Sequence, residues 1–160
     1  MLFRSIGHDT LHGAIQRRVR ELELEDHVRF HGFLSQIALR EHMRQADLLI
    51  VSSRHEAGPI VALEAAVSGV PTVGTNVGLL ADWAPEAARV VSVGDGPGLS
   101  AAAAELCLNE ELRLRLASEA QKRATEENAD VTTRRIRDLY IVIKNARRPT
   151  GNRVLRGTAQ

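Results

Sequence analysis

The sequence predicts an α/β fold, in which a Rossmann-like, mostly parallel sheet is flanked by helices. Two observations favour this class. Short apolar segments alternate along the chain with segments whose apolar residues recur every three or four positions, as on one face of a helix. The apolar run Leu48–Val51 also lacks the alternation of a half-exposed strand, which is typical of a central parallel strand covered on both faces.

Five strands are predicted from short apolar or branched segments, with Gly, Pro or Asp residues among those that bound them. They are Leu2–Ile6, Val28–Phe33, Leu48–Val51, Pro71–Thr75 and Arg89–Val93. The third segment is the most apolar, and we expect it to be central in the sheet.

Helical periodicity predicts a helix after each of the first three strands and three more toward the C-terminus. The helices are predicted over Leu11–Leu22, after Ser35 as far as Ala46, and over Pro59–Ser68, Leu99–Leu108, Glu110–Glu126 and Thr132–Ala146. Ser35 is an N-cap residue by type. Pro59 in a first turn and Gly69 just past a helix end follow the usual preference for Pro at the start and Gly after the end.

The composition is that of one globular domain, with 160 residues of which 44% are hydrophobic and 26% charged. No apolar run approaches the roughly 20 residues of a membrane span. Leu2–Gly7 lacks the basic start and long apolar middle of a signal peptide. We therefore expect a cytoplasmic protein whose contact with membranes is at most peripheral.

Charge and cysteine content exclude several functions. The formal net charge is +1 and aromatic residues make up 3%, which argues against a nucleic-acid-binding protein. The single Cys107 lies in an apolar helical pattern and is interpreted as a small buried hydrophobic residue.

Residues 147–160 hold four arginines and few large apolar residues, so we expect a disordered basic tail after a domain of residues 1–146.

The segment Ser52–Gly69 places one glutamate, Glu56, on a loop after the central strand and a second, Glu64, inside the following helix. The start of that helix leaves backbone N–H groups unpaired at the positive end of the helix dipole. Phosphate is a natural ligand for such a site, and ligands of open α/β sheets collect at the carboxyl ends of the strands. A carboxylate beside a diphosphate needs groups that donate hydrogen bonds to it, and sugar hydroxyls are such donors.

A resemblance to a known family rests on two stretches. The first resembles the signature region of family 4 glycosyltransferases, including their two glutamates separated by seven residues. It reads FHGFLSQIALREHMRQADLLIVSSRHEAGPIVALEAAVSGVPTVGTNVG. RVVSVGDGPGLSAAAAEL is similar to the family's next strand, Gly-Asp loop and helix, and the resemblance covers Leu2–Tyr140. It implies the C-terminal half of a GT-B fold that binds a nucleotide-diphospho-sugar and transfers a hexosyl group with retention, without cofactor or catalytic metal.

The resemblance also implies roles for individual residues. Glu56 matches the catalytic glutamate beside the donor hexose, and Glu64 matches the glutamate that binds the ribose. The residues implied to face the diphosphate through their backbone are Gly58, Pro59, Ile60 and Val61; those implied to line the base pocket are Gly32, Phe33 and Leu34; and His55, Thr75 and Gly78 are further candidates for donor binding.

Two features depart from the family. Many relatives have Gly-Phe-Gly directly after the first glutamate, whereas this chain has Ala57, Gly58 and Pro59, and Pro59 has no N–H to donate. Relatives bind the diphosphate with an Arg and a Lys that belong to an earlier β-α unit. No residue of this chain matches either of them. The chain is therefore expected to lack the first β-α unit and the N-terminal acceptor domain, and the glycan, lipid or small-molecule acceptor is left open.

The family's strand order, three-two-one-four-five-six, places the absent strand between the first and third strands of this chain. Its absence leaves backbone groups unpaired in the middle of a sheet. We expect the isolated chain to be unstable, to associate through exposed strand edges, or to pair those two strands directly.

Other functions are left open. The chain is either the donor half of an enzyme, or a non-catalytic nucleotide-sugar-binding or interaction module, or the remnant of a truncated gene. A sugar-nucleotide epimerase fits the glutamate spacing less well, and Asp47 and Asp95 do not form the acidic cluster of a phospho-receiver domain. His8 and His12 have helical spacing for a zinc site but no third ligand in sequence.

Overall fold

A computed structural model describes residues 2–126 and 128–146, and the predicted basic tail lies outside these residues. The chain divides into two compact units, residues 1–121 and 122–160, and the division falls inside a long helix. The first unit contains every strand that the structure describes. The second contains the end of that long helix and the last helix.

The five strands lie where the sequence predicts them, each within two residues at either end. They are β1 (Phe3–Ile6), β2 (Val28–Gly32), β3 (Leu49–Val51), β4 (Thr72–Thr75) and β5 (Arg89–Val91). All pairing is parallel, as the α/β class requires.

Seven helices are found in the described residues. They are α1 (Ala14–Glu21), α2 (Gln36–Arg44), α3 (Ile60–Val67), α4 (Gly78–Trp83), α5 (Gly96–Leu108), α6 (Glu110–Glu126) and α7 (Ala129–Ala146). The predicted cap is confirmed, because the Ser35 side chain accepts a hydrogen bond from the N–H of Ala38. Gly69, just past α3, has φ +75°, the left-handed conformation that glycine favours.

Helix α4 was missed by the sequence analysis. It has six residues and begins at a glycine, so it offers too few positions for a helical period to be recognised. Helix α1 begins later than predicted. The Asp9 carboxylate accepts hydrogen bonds from the N–H groups of Leu11 and Gly13, and Gly13 has φ +77°, so a turn occupies the first residues of the predicted helix.

The strands form two sheets. One contains β1 and β2, and the other contains β3, β4 and β5 in that order, with β4 in the middle. Among the described residues β1 and β3 do not pair, so the direct pairing that was one of the expected outcomes is not found. The prediction that β3 is central is also wrong for its own sheet, because β3 is an edge strand there.

The hydrophobic core belongs to the larger sheet. Val73 in β4 packs with Ala102, Ala103 and Leu106 of α5 and with Leu116 of α6. A second cluster joins Met43 of α2 to Ala65 and Val70 around α3. All four residues of β4 are buried, and this packing fixes the positions of the loops that follow β3 and β4.

Candidate functional site

The junction between β3 and α3 brings most of the predicted site residues together. Residues 52–59 connect the carboxyl end of β3 to the start of α3, which has Pro59 as its cap residue. Pro59 is buried, and its carbonyl accepts the N–H of Ala62. Among the described residues none accepts a hydrogen bond from the N–H of Ile60 or Val61, so two donors are available at this helix end.

Gly58 leaves open space beside these donors. It is exposed, and a Cβ built on it would meet no atom within 4 Å. The helix dipole adds a partial positive charge at the same point. An anion of phosphate size can therefore approach the first turn of α3 from the carboxyl edge of the sheet.

Glu64 lies on α3 one turn after Ile60, on the same side of the helix. It is half-buried, and its helix neighbours Ala62, Ala65 and Ala66 are buried. Within the described part of the chain its carboxylate has no hydrogen bond or ion pair. A half-buried carboxylate without a partner is costly, so this position favours a ligand that donates hydrogen bonds.

Glu56 lies on the loop before α3 and is exposed. The Ser53 hydroxyl donates a hydrogen bond to Glu56 Oε1 over 2.9 Å. One carboxylate oxygen is thereby held, and the other is left to accept from a ligand. His55 is exposed beside it, and within the described residues its ring makes no hydrogen bond, ion pair or ring contact.

Thr75 ends β4 and Gly78 begins α4, and both contact this loop. Thr75 is 4% exposed, and its hydroxyl donates to the carbonyl of Ser53. Gly78 lies directly against the carbonyl oxygens of Glu56 and Ala57, where no Cβ would fit. Both residues contact the loop that carries Glu56, so they support the candidate site.

The residues predicted for the base pocket follow the other sheet. Gly32 ends β2 and is exposed, Phe33 is 73% exposed, and Leu34 is half-buried. The ring of Phe33 stacks on His8, with ring centroids 5.2 Å apart and planes at 17°. Sequence reasoning missed this contact, because β1 and β2 bring the two residues together only through their parallel pairing.

A cavity of about 360 Å³ lies at the carboxyl ends of β1 and β2. It is lined by residues 5–11 together with Ile15, Gln16, Phe30 and Gly32. The Gln16 Oε1 atom is buried and, in the described residues, has no hydrogen-bond partner. Backbone N–H groups of Leu11 and Gly13 hold the pKa of the neighbouring Asp9 carboxyl below its usual value of 3.8.

Residues 2–126 and 128–146 contain neither a cluster of metal ligands nor a membrane-spanning helix. No three His, Cys, Asp or Glu side chains come together there as a set of metal ligands. No helix in these ranges combines the length and the hydropathy that a membrane span needs. Cys107, expected to be buried, is partly exposed.

In α/β domains of parallel strands, an open helix N-terminus at the carboxyl edge of the sheet is a common place for phosphate-bearing ligands to bind. Residues 6–123 match the family described as glycosyl transferases group 1. The match covers most of the chain, and the protein belongs to this family.

A curated relative is N-acetyl-alpha-D-glucosaminyl L-malate synthase of Bacillus anthracis. It is 31% identical over 116 residues, which are 71% of this chain and 30% of that protein. The chain spans between 14% and 33% of the lengths of the curated relatives it matches.

Two solved structures show the same fold. The HepE protein of Anabaena in complex with UDP has a TM-score of 0.77 at 20% identity, covering 88% of this chain and 41% of that one. The C-terminal domain of the glycosyl transferase group 1 family protein LpcC of Francisella tularensis has a TM-score of 0.71 at 19% identity, covering 79% and 69%. The predicted α/β class, with parallel strands flanked by helices as in GT-B glycosyltransferases, is confirmed.

Proposed function

We propose that this chain is the donor-binding half of a retaining glycosyltransferase. It binds a nucleotide-diphospho-sugar, and a hexosyl group passes to an acceptor held by another domain. Membership of the glycosyl transferases group 1 family supports sugar transfer, and the UDP complex of a protein with the same fold supports a nucleotide donor. The greater length of the relatives leaves room for an acceptor domain.

The observation that carries the proposal is the half-buried, unpartnered Glu64 one turn from two free N–H donors. The donors of Ile60 and Val61 suit the diphosphate, with Gly58 providing access. The Glu64 carboxylate then accepts from the two ribose hydroxyls. Glu56 lies on the loop before α3, where Ser53 holds its carboxylate, and it is assigned to the hexose.

The base is assigned to the cavity at the carboxyl ends of β1 and β2. Its volume of about 360 Å³ is of the order expected for a ligand subsite. The exposed ring of Phe33 supplies a flat apolar surface at its border, and the backbone of Gly32 supplies polar groups. Leu34, which is half-buried and follows Phe33 in the chain, is assigned to this subsite by the resemblance.

The test is a titration of the chain with UDP-, GDP- and ADP-sugars, followed by Glu64→Gln with the donor that binds. Loss of a charge-assisted hydrogen bond pair should weaken binding by about 1.5 to 3 kcal/mol. That is roughly a ten- to hundredfold rise in Kd. Glu25→Gln is the matched control, because Glu25 is exposed and precedes β2, at the opposite end of the strands. Equal affinities of wild type and Glu64→Gln would remove Glu64 from the site.

The role of Glu56 is tested separately by Glu56→Ala in the whole natural protein that carries this chain. The hexose is where charge develops during transfer, so turnover should fall by about a hundredfold or more while the Kd of the bare nucleoside diphosphate changes less than about threefold. Turnover that persists while nucleotide binding collapses would show that the roles of Glu56 and Glu64 are exchanged.

A non-catalytic nucleotide-sugar-binding module is the second candidate. Its support is that Pro59, at the start of α3, has no N–H to donate, so the diphosphate has one donor fewer at this helix end than Gly-Phe-Gly would give. Measurement of sugar transfer separates the two functions. The 160 residues by themselves are expected to bind donor without transferring sugar, and binding without transfer by the whole natural protein would favour the module.

A further inference from the structure

We propose that Ser53 is a positioning residue, which holds the Glu56 carboxylate in the orientation that the donor sugar requires. The proposal rests on the function assigned above to Glu56. Its first support is the 2.9 Å hydrogen bond from the Ser53 hydroxyl to Glu56 Oε1. Glu56 is exposed, and no other residue of the described structure holds its side chain, so this bond alone selects a rotamer.

Ser53 is itself fixed by the larger sheet. Its carbonyl accepts the hydroxyl of Thr75, the last residue of β4, and Thr75 is 4% exposed. A hydroxyl buried in the middle strand cannot follow the movements of a surface loop. The position of Ser53, near the start of the loop that carries Glu56, is therefore set by its contact with the core.

The far side of the same loop is fixed by the next turn. The N–H of Leu79 donates to the carbonyl of Ala57 over 3.0 Å, and Gly78 lies against the carbonyls of Glu56 and Ala57. Gly78 has φ +46°, a conformation that an L side chain rarely adopts. The backbone of Glu56 thus lies between two anchored points, and only its side chain is left to be oriented.

These contacts indicate that the Glu56 carboxylate is already oriented before the ligand binds. Glutamate has several rotatable bonds, and ordering them on binding would oppose affinity. A hydrogen bond that exists in the free protein removes part of that cost. Neighbouring Ser52 offers a matched comparison, because it is exposed and, in the described residues, its hydroxyl has no partner.

The experiment compares Ser53→Ala, Ser53→Thr and Ser52→Ala in the 160-residue chain, titrated with UDP-glucose and with UDP. GDP-mannose with GDP, or ADP-glucose with ADP, replaces this pair if wild type binds only those. Ser53→Ala should raise the Kd of UDP-glucose by about tenfold and leave the Kd of UDP within about twofold. Ser53→Thr should restore UDP-glucose binding, since it keeps the hydroxyl, and Ser52→Ala should change neither Kd.

The hydrogen bond from Thr75 to the Ser53 carbonyl is tested by two variants. Thr75→Val should show the same selective loss of UDP-glucose affinity, and Thr75→Ser should recover that affinity. Circular dichroism checks that each variant is folded. Unchanged UDP-glucose binding in Ser53→Ala, an equal loss of UDP binding, or failure of Ser53→Thr to recover affinity would each overturn the positioning role. A wild-type chain that is folded by circular dichroism and binds neither nucleotide sugars nor nucleotides would refute the proposed function itself.

Discussion

The two sheets are built from the same kind of β-α unit and differ in how much surface they bury. In β3-β4-β5 the middle strand is wholly buried, and α3, α5 and α6 each contribute buried residues. In β1-β2 no strand residue is buried, and α1 has none either. All buried side chains of the described residues lie between Met43 and Ala120.

The difference shows that periodicity predicts an element without predicting its burial. Leu11, Ile15 and Leu22 have the spacing of an inward helical face, yet they are 57%, 49% and 49% exposed. Parallel strands need cover on both faces and neighbours on both sides to form a core. The β1-β2 pair has one neighbour for each strand, whereas β4 has two.

The largest expected effect of this difference is on stability. Leu106 is fully buried against β4, so Leu106→Ala should lower the free energy of unfolding by about 2 to 5 kcal/mol. Ile15→Ala, the same kind of truncation at a position that is 49% exposed, should cost less than about 1 kcal/mol. Urea unfolding followed by circular dichroism measures both. Equal losses would show that the β1-β2 half is as well packed as the other.

A smaller effect concerns the turn that begins α1. The pKa of Asp9 is lowered by the N–H groups of Leu11 and Gly13, so its contribution to stability is complete above its usual pKa of 3.8 and is lost as the pH falls through the lower folded-state value. Asp9→Ala should lower the Tm by roughly 2 °C at pH 7 and by much less once the pH is low enough to protonate Asp9 in the folded state. A Tm difference that is the same at both pH values would show that the charge of Asp9 has no part in it.

Much of the fold could be predicted from the sequence, because strand and helix patterns are local. Leu48–Val51 and Pro59–Ser68 were found within two residues at either end, since Gly, Pro and an apolar run mark them. The separation into two sheets could not be predicted from such patterns. It depends on which strands pair, and pairing is not encoded in the periodicity of any one segment.

The site was predicted less completely. Glu56, Glu64 and the start of α3 lie together at one strand end, as the spacing indicates. The contacts of Thr75 and Gly78 with the loop required the structure, because they join residues about 20 positions apart. Ser53 could have been noticed, since a serine three residues before a loop glutamate is well placed to bond with it.

The most direct measurement of the donor site is a titration of ¹⁵N-labelled chain with UDP-glucose, followed by amide chemical shifts. GDP-mannose or ADP-glucose takes its place if wild type prefers one of those donors. The proposed site predicts the largest changes at Gly58, Ile60, Val61 and Glu64, with a second group at Gly32–Leu34 and His8, and small changes in α5. Changes confined to surfaces away from the carboxyl ends of β2 and β3, or no changes at saturating donor, would contradict the proposed nucleotide-sugar site.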